Sequence, residues 1–203
     1  KIIFDGKDIT KLKPNELKPI RNDLQMIFQD PMDSLNPRHT AGEIIEEPLA
    51  INNVEKLCRK KRVLQLLDTV GLPKESLKKY TFEFSGGQKQ RIGIARALAL
   101  RPKLVVCDEA VSALDVSTQA QVLNLLLDLQ NEFGLTYLFI SHNLAVVKHM
   151  SDKVAVMKSG KIVEENSSEK IYNEAKQPYT KNLISSIPAT HPSERSNFER
   201  SAN

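Results

Sequence analysis

Apolar and polar residues change rhythm several times along this chain, and each change predicts an element. Residues 1–9 carry a strand pattern that turns at Asp5-Gly6, where glycine supplies the positive φ of a tight turn. A short helix is predicted after Pro14, then an apolar strand over residues 24–28. The run QDPMDSLNPRHT at 29–40 holds three breakers, Pro31, Asn36 and Pro37, and reads as a loop. From 41 to about 84 the pattern turns helical. Leu57, Leu64, Leu67 and Val70 repeat at helical spacing there, and Gly71 takes the C′ position.

Ser85 can cap a helix with its body at 88–100, stopping before Pro102. Residues 104–107 are all apolar between charged neighbours, the pattern of a strand buried on both faces of a parallel sheet. Asp115 or Ser117 can cap the next helix, which carries Val122, Leu123, Leu126 and Leu129 and ends near Gly134. A second buried strand at 135–140 leads through Ser141-His142 into another helix, and 153–165 reads as a hairpin about Ser159-Gly160. This alternation argues a βαβ core in which the helical block 41–84 is an insert. The polar stretch 190–203 predicts a frayed end.

Composition narrows the class. The 203 residues suffice for one ordinary domain, and 40% hydrophobic with 27% charged residues is the balance of a globular chain. No stretch approaches the roughly 20 apolar residues of a membrane span, so any membrane link runs through a partner. The first residues show neither Met nor a signal-peptide pattern, which reads as a cut or processed end. A net charge of +4 is mild, and the densest basic run (Arg59, Lys60, Lys61, Arg62) sits in a helical pattern as a solvated face, so no nucleic-acid partner is expected. Cys58 and Cys107 lie far apart without CxxC spacing, which argues against zinc and disulfides and for a reducing compartment.

Two segments carry chemistry. Ser85-Gly86-Gly87-Gln88 opens a helix, and a given four-residue string falls by chance about once in 10⁵ positions. A helix N-terminus offers unpaired N–H groups and partial positive charge, and glycine lets an anion approach them. A plain capped helix with a Gly-Gly turn would look the same. Nineteen residues after Ser85, LVVCDE begins and delivers Asp108 and Glu109 to the C-terminal end of a strand, where open α/β sheets bind ligands. Neighbouring strand residues point to opposite sides, so Asp108 can sit by Mg²⁺ while Glu109 acts as general base on water. Solvated acids at a strand end are the plain alternative.

FSGGQKQRIGIARAL followed by LVVCDEAVSALD resembles the signature helix, Walker B strand and D-loop of ABC ATPases. Gln29 in MIFQDP resembles the Q-loop and His142 in LFISHN the switch histidine. The four motifs run in family order from 29 to 142. The resemblance implies an α/β fold, a partial P-loop NTPase core of mostly parallel sheet with an inserted α-helical subdomain. It divides the chain into partial core strands and Q-loop (1–40), helical signature subdomain (41–100), core with Walker B, D-loop and switch histidine (101–165) and a C-terminal helical tail (166–203). It implies ATP and Mg²⁺ as ligands. Ser85, Gly86, Gly87, Gln88, Gln29 and Asp115 would bind nucleotide, Asp108 and Gln29 the metal, and Glu109 and His142 would be catalytic, His142 on the γ-phosphate. Apart from the family, Gln29 would bond only its loop and His142 would be structural.

The eight glycines include no pair five apart, so the chain has no G-x-x-x-x-G-K-[ST] loop to grip phosphates. By resemblance that loop precedes residue 1, and the chain reads as truncated there by several dozen residues; about sixty more, a figure from the family pattern and the usual size of βαβ units, would show whether the loop is present. The family's site is composite, one subunit's P-loop facing another's signature helix. This chain alone is therefore expected neither to bind ATP productively nor to hydrolyse it. QDPMDSLNPR, SALDVSTQAQVLNLLLDLQ and the tail GKIVEENSSEKIYNEAKQPYTKNLISSIP resemble the ATP-binding subunits of oligopeptide and dipeptide permeases. That implies a place on the cytoplasmic face of the membrane, transmembrane permease subunits docked at 30–84, a second, non-identical ATPase, and an extracytoplasmic peptide-binding protein. An importer for another substrate such as nickel, or a soluble non-transport ABC ATPase, are the alternatives. Ala110 stands where many relatives have proline, and the tail lacks a cysteine cluster for iron–sulfur.

Overall fold

A computed structural model describes residues 1–30 and 34–186 as two compact units, Lys1–Ile140 and the part from Ser141 onward. The first unit opens with a hairpin of β1 (Ile3–Phe4) and β2 (Lys7–Asp8). Its turn is the predicted one, with Asp5 at φ 49° and Gly6 at φ 75°, the left-handed pair of a type I′ turn. Helix α1 (Pro14–Asp23) starts on a proline, whose locked φ suits the first helical position and whose missing N–H is not needed there. It runs directly into β3 (Leu24–Ile27).

β3, β4 (Leu104–Asp108) and β5 (Thr136–Ile140) form a parallel sheet with β4 in the centre. Lys103 aligns the three strands at one end: its N–H donates to the Asp23 carbonyl at 2.8 Å and its carbonyl accepts from the Thr136 N–H at 3.0 Å. Only one face of β4 is fully buried, by Val105 and Cys107, with Leu104 and Val106 half-buried opposite. β5 departs further from the doubly buried strand that its composition predicts. Leu138 and Ile140 stay exposed at 53% and 46%, on the face of the strand that no described element buries, and among the described residues β5 has a strand partner on one side alone.

Between β3 and β4 come α2 (Ala41–Ile51), α3 (Lys56–Thr69), 3₁₀ turns at Lys74–Lys78 and Thr81–Glu83, and α4 (Gly86–Ala97). Ile44, Ile45, Leu66, Leu67, Val70, Ile92 and Ile94 are at most 2% exposed, and burying each side chain of this size is worth about 1.5–3 kcal/mol. Leu57 is the exception to its predicted repeat. It lies in the first turn of α3, 72% exposed, while Val63, Leu66 and Leu67 make the buried seam. The basic run is not a solvated face throughout either. Lys60 and Lys61 are exposed, but Arg59 pairs with Glu46 at 2.7 Å, and Arg62 donates to the carbonyls of Leu98 (2.9 Å) and Ala99 (3.4 Å) just past α4. These carbonyls lie beyond the helical ladder, that of Leu98 accepting also from the Arg101 N–H at 3.1 Å, so a cation there acts as a C-terminal cap. α5 (Val116–Phe133) buries Val122, Leu123, Leu126 and Leu129, and Gly134 ends it at φ 64°.

The second unit holds α6 (Leu144–Met150), an antiparallel hairpin of β6 (Lys153–Lys158) and β7 (Lys161–Ser167), α7 (Ser168–Glu174) and α8 (Pro178–Ser185). The hairpin turns at Ser159-Gly160 and runs two residues beyond its predicted end. Val147, Val154, Val156 and Ile171 make its core, and the Tyr172 hydroxyl donates to the Leu144 carbonyl at 2.6 Å. The predicted fray at 190–203 lies outside the described residues.

Candidate functional site

The parallel register builds the first half of the site. Ile27 of β3 lies opposite Cys107 of β4, so residues two positions past each come level. Those residues are Gln29 and Glu109. The Gln29 Nε2 donates to the Glu109 Oε2 at 2.8 Å, across 80 residues of sequence. Strand pleating does not separate the two acids as the sequence suggested. β4 ends at Asp108, and Glu109 leaves it in a left-handed backbone conformation at φ 44°. That conformation costs a non-glycine residue roughly 1–2 kcal/mol. Hydrogen bonds hold it: the Glu109 N–H donates to the Ile140 carbonyl at 2.9 Å, and the Glu109 carbonyl accepts from both the Ser112 N–H and hydroxyl at 3.0 Å.

The second half is the tip of α4. Ser85 and Gln88 form a capping box. The Ser85 Oγ accepts from the Gln88 N–H at 3.3 Å, and the Gln88 Oε1 accepts from the Ser85 N–H at 3.0 Å. The first α-helical bond runs from the Lys89 N–H to the Ser85 carbonyl at 2.9 Å, so the N–H groups of Gly86 and Gly87 precede the helical ladder. No acidic residue stands in the first turn, which leaves the positive end of the helix dipole uncompensated. Ser85, Gly86 and Gln88 are exposed.

Gly87 has a further role the sequence did not reveal. A Cβ there would lie 2.3 Å from Thr118 Cγ2, so this glycine is what lets the tips of α4 and α5 touch. A Cβ built on Gly86 would lie 3.4 Å from Leu114 Cδ2, an ordinary contact. Asp115 caps α5 through both oxygens, Oδ1 accepting from the Thr118 N–H at 3.0 Å and Oδ2 from the Thr118 hydroxyl at 2.7 Å. The hydroxyl bond, then the N–H bond, holds its carboxyl below the usual range. Arg96 was also missed. From α4 its guanidinium donates to the Ser34 carbonyl at 2.6 Å and lies over the Phe28 ring at 6.0 Å, next to Gln29, and burial pushes its pKa below the ordinary value. A lone arginine among Ile92, Ile94, Ala95 and Ala97 was the available signal.

The structure thus joins Gln29 with Glu109, and Gly86 and Gly87 with the Leu114–Thr118 turn. His142 is exposed and lies in the second unit, two residues after β5. Mg²⁺ prefers carboxylate and carbonyl oxygens, keeps several waters and takes one or two carboxylates, which suits Asp108 with the Gln29 carboxamide. No cluster of three or more His, Cys, Asp or Glu that could hold a metal ion occurs among the described residues. No described helix is long and apolar enough to cross a membrane.

The sequence profile described as ABC transporter matches residues 1–112. A dipeptide transport ATP-binding protein of Lactococcus lactis subsp. cremoris is 54% identical over 193 residues, 94% of this chain and 62% of the relative. An oligopeptide transport ATP-binding protein of Lactococcus lactis subsp. lactis is 52% identical over 93% of this chain and 59% of its own length. A glutathione import ATP-binding protein of Pectobacterium atrosepticum is 53% identical over 96% of this chain and 31% of its own. The chain therefore spans about three fifths of the first two relatives and under a third of the last. Among solved structures, a dimeric ATP-binding cassette in a post-hydrolysis state with ADP and Pi superposes with TM-score 0.69 at 30% identity, over 81% of this chain and 72% of the other. A Clostridium perfringens protein that is part of an ABC transporter complex superposes with TM-score 0.80 at 25% identity, over 97% and 75%.

Proposed function

Because the chain belongs to the ABC transporter family, we propose that it serves in the ATP-hydrolysing, energy-coupling subunit of an importer for oligopeptides or dipeptides. The observation that carries this reading is the Gln29–Glu109 hydrogen bond, which orients one carboxylate at a strand end where a water can be activated. The transport names of the relatives at 54% and 52% identity support the peptide substrate.

In this reading Glu109 takes the proton of the attacking water and Gln29 holds its carboxylate in place. The Gly86 and Gly87 N–H groups, with Ser85 and Gln88, bind the phosphates of a nucleotide gripped by the P-loop of a second, non-identical ATPase. Asp115 shapes the turn beside that tip, and His142 hydrogen-bonds the γ-phosphate as charge develops there. Asp108 and Gln29 would hold Mg²⁺, which supplies charge neutralisation to the phosphates when bound. Since these 203 residues contain no phosphate-gripping loop, the chain alone neither binds ATP productively nor hydrolyses it. Its partners are transmembrane permease subunits at the cytoplasmic face, served by an extracytoplasmic peptide-binding protein.

Glu109→Gln in the assembled transporter tests the reading. Nucleotide binding is expected to persist while hydrolysis falls by about 10²–10⁴, the range that general-base catalysis contributes. Unchanged turnover removes Glu109 from the chemistry. A transporter whose hydrolysis responds to a nickel-loaded but not a peptide-loaded binding protein overturns the substrate.

A further inference from the structure

We propose a second ligand site in the first unit, a cleft of about 290 Å³ that takes a small anion with an aromatic body. Arg62, Leu98, Arg101, Pro102, Phe133 and Leu135 line it. None of them belongs to the nucleotide site described above. Leu98, Pro102 and Leu135 are buried and form the floor, while Phe133 stays 41% exposed beside them.

Two cations stand over this apolar floor without a counter-charge. Among the described residues no carboxylate pairs with Arg62 or Arg101. Arg62 is fixed by its bonds to the Leu98 and Ala99 carbonyls through Nε and Nη2, which leaves Nη1 for a ligand. Burial, and then the neighbouring Arg101, depresses the Arg62 pKa.

The backbone at Arg101 is the second, independent observation. Arg101 adopts φ 56° in the turn that follows α4, its N–H donating to the Leu98 carbonyl at 3.1 Å. Glycine is the usual residue in such a left-handed turn, and an arginine there is strained. A strained residue is a pointer to a role for its side chain, and the side chain here borders the cleft. An apolar cavity of about 150 Å³ can take benzene, so this volume admits a ring together with its anionic group.

The test titrates the chain with phenyl phosphate, inorganic phosphate and phenol, following backbone amide shifts by NMR. Phenyl phosphate should saturate, shift the amides of Arg101, Phe133 and Leu135, and bind at least tenfold more tightly than either half alone. Arg101→Gly relaxes the turn and should keep or raise the Tm, yet weaken binding by about tenfold or more, the value of one charged hydrogen bond. Undiminished binding in that variant overturns the site. So does saturation confined to Gly86 and Gly87, or no saturation at all. Those last results leave the nucleotide reading untouched.

Discussion

Replacing Gly87 with alanine tests the contact that joins the two helix tips. A built Cβ lies 2.3 Å from Thr118 Cγ2, where carbon atoms prefer about 3.5–4.0 Å. Thr118 cannot yield freely. Its N–H and hydroxyl both bind Asp115, at 3.0 and 2.7 Å, so turning the methyl away breaks the hydroxyl half of the α5 cap. Overpacking of this kind costs about 1–3 kcal/mol. Against it stands the intrinsic helix preference of alanine over glycine, about 1 kcal/mol. At 2.3 Å and with Thr118 held, the overpacking cost falls in the upper part of that range, about 2–3 kcal/mol, so the net expectation is a loss of roughly 1–2 kcal/mol, or about 2–8 °C in Tm for a chain of this size. Thr118→Ser supplies the control, since it removes Cγ2 and keeps the capping hydroxyl. Thermal and urea denaturation of wild type, both single variants and the double variant give the coupling directly. The double variant should recover most of the loss. If Gly87→Ala is as stable as wild type, or Thr118→Ser fails to rescue it, the tips do not touch and the glycine serves only the ligand.

Three further expectations follow from the same geometry. The folded Asp115 carboxyl titrates below its unfolded value, so the stability it lends is present above about pH 4 and is lost as pH falls through the lower folded value. Asp115→Asn still caps α5 but does not titrate there, so urea midpoints at pH 5 and pH 2.5 should differ less in the variant; parallel losses refute the assignment. Burial pushes the Cys107 thiol up to about 12, while Cys58 is exposed, its thiol raised chiefly by a hydrogen bond to Glu55 and then by the Glu55 charge. At pH 8 iodoacetamide should add once to the native chain, at Cys58, and a second native adduct would contradict the burial. Arg96→Met keeps the stem but removes the donor to the Ser34 carbonyl, which should cost about 1–3 kcal/mol by urea denaturation and speed amide exchange near Ser34; an equally stable variant refutes that role.

Local chemistry explains what could be read in advance. Ser85 with Gln88, Asp115 before α5, and Gly134 after it each act within four residues, so their structures agree with their sequences. Strand ends were legible too, because an apolar run meeting Asp108 has one way to sit in a sheet. What escaped depends on contacts between distant segments. Glu109 looks like a strand residue until the φ of 44° appears, since nothing in Asp-Glu-Ala announces a left-handed turn. Arg62 looks like one charge in a run until the end of α4 arrives beside it, 36 residues away. Leu57 and Leu138 satisfy a periodicity without a neighbour to bury them, which is why pattern alone overstated the core.

The separate pieces of the site close into one ring of contacts. Glu109 is bound by Gln29, and the adjacent Phe28 lies under Arg96 of α4. The tip of that same helix carries Gly87, which abuts Thr118. Thr118 is tied to Asp115, six residues after Glu109, where the ring began. Packed side chains and short hydrogen bonds are stiff, so a shift at any member strains the rest. If, as proposed, a nucleotide phosphate draws on the N–H groups of Gly86 and Gly87, two chains of contact lead from it towards the Glu109 carboxylate, one through Arg96 and Phe28 and one through Thr118 and Asp115. With only the first route present, Arg96→Met would uncouple the tip from the acid; with both, it loosens the coupling and leaves part of it intact.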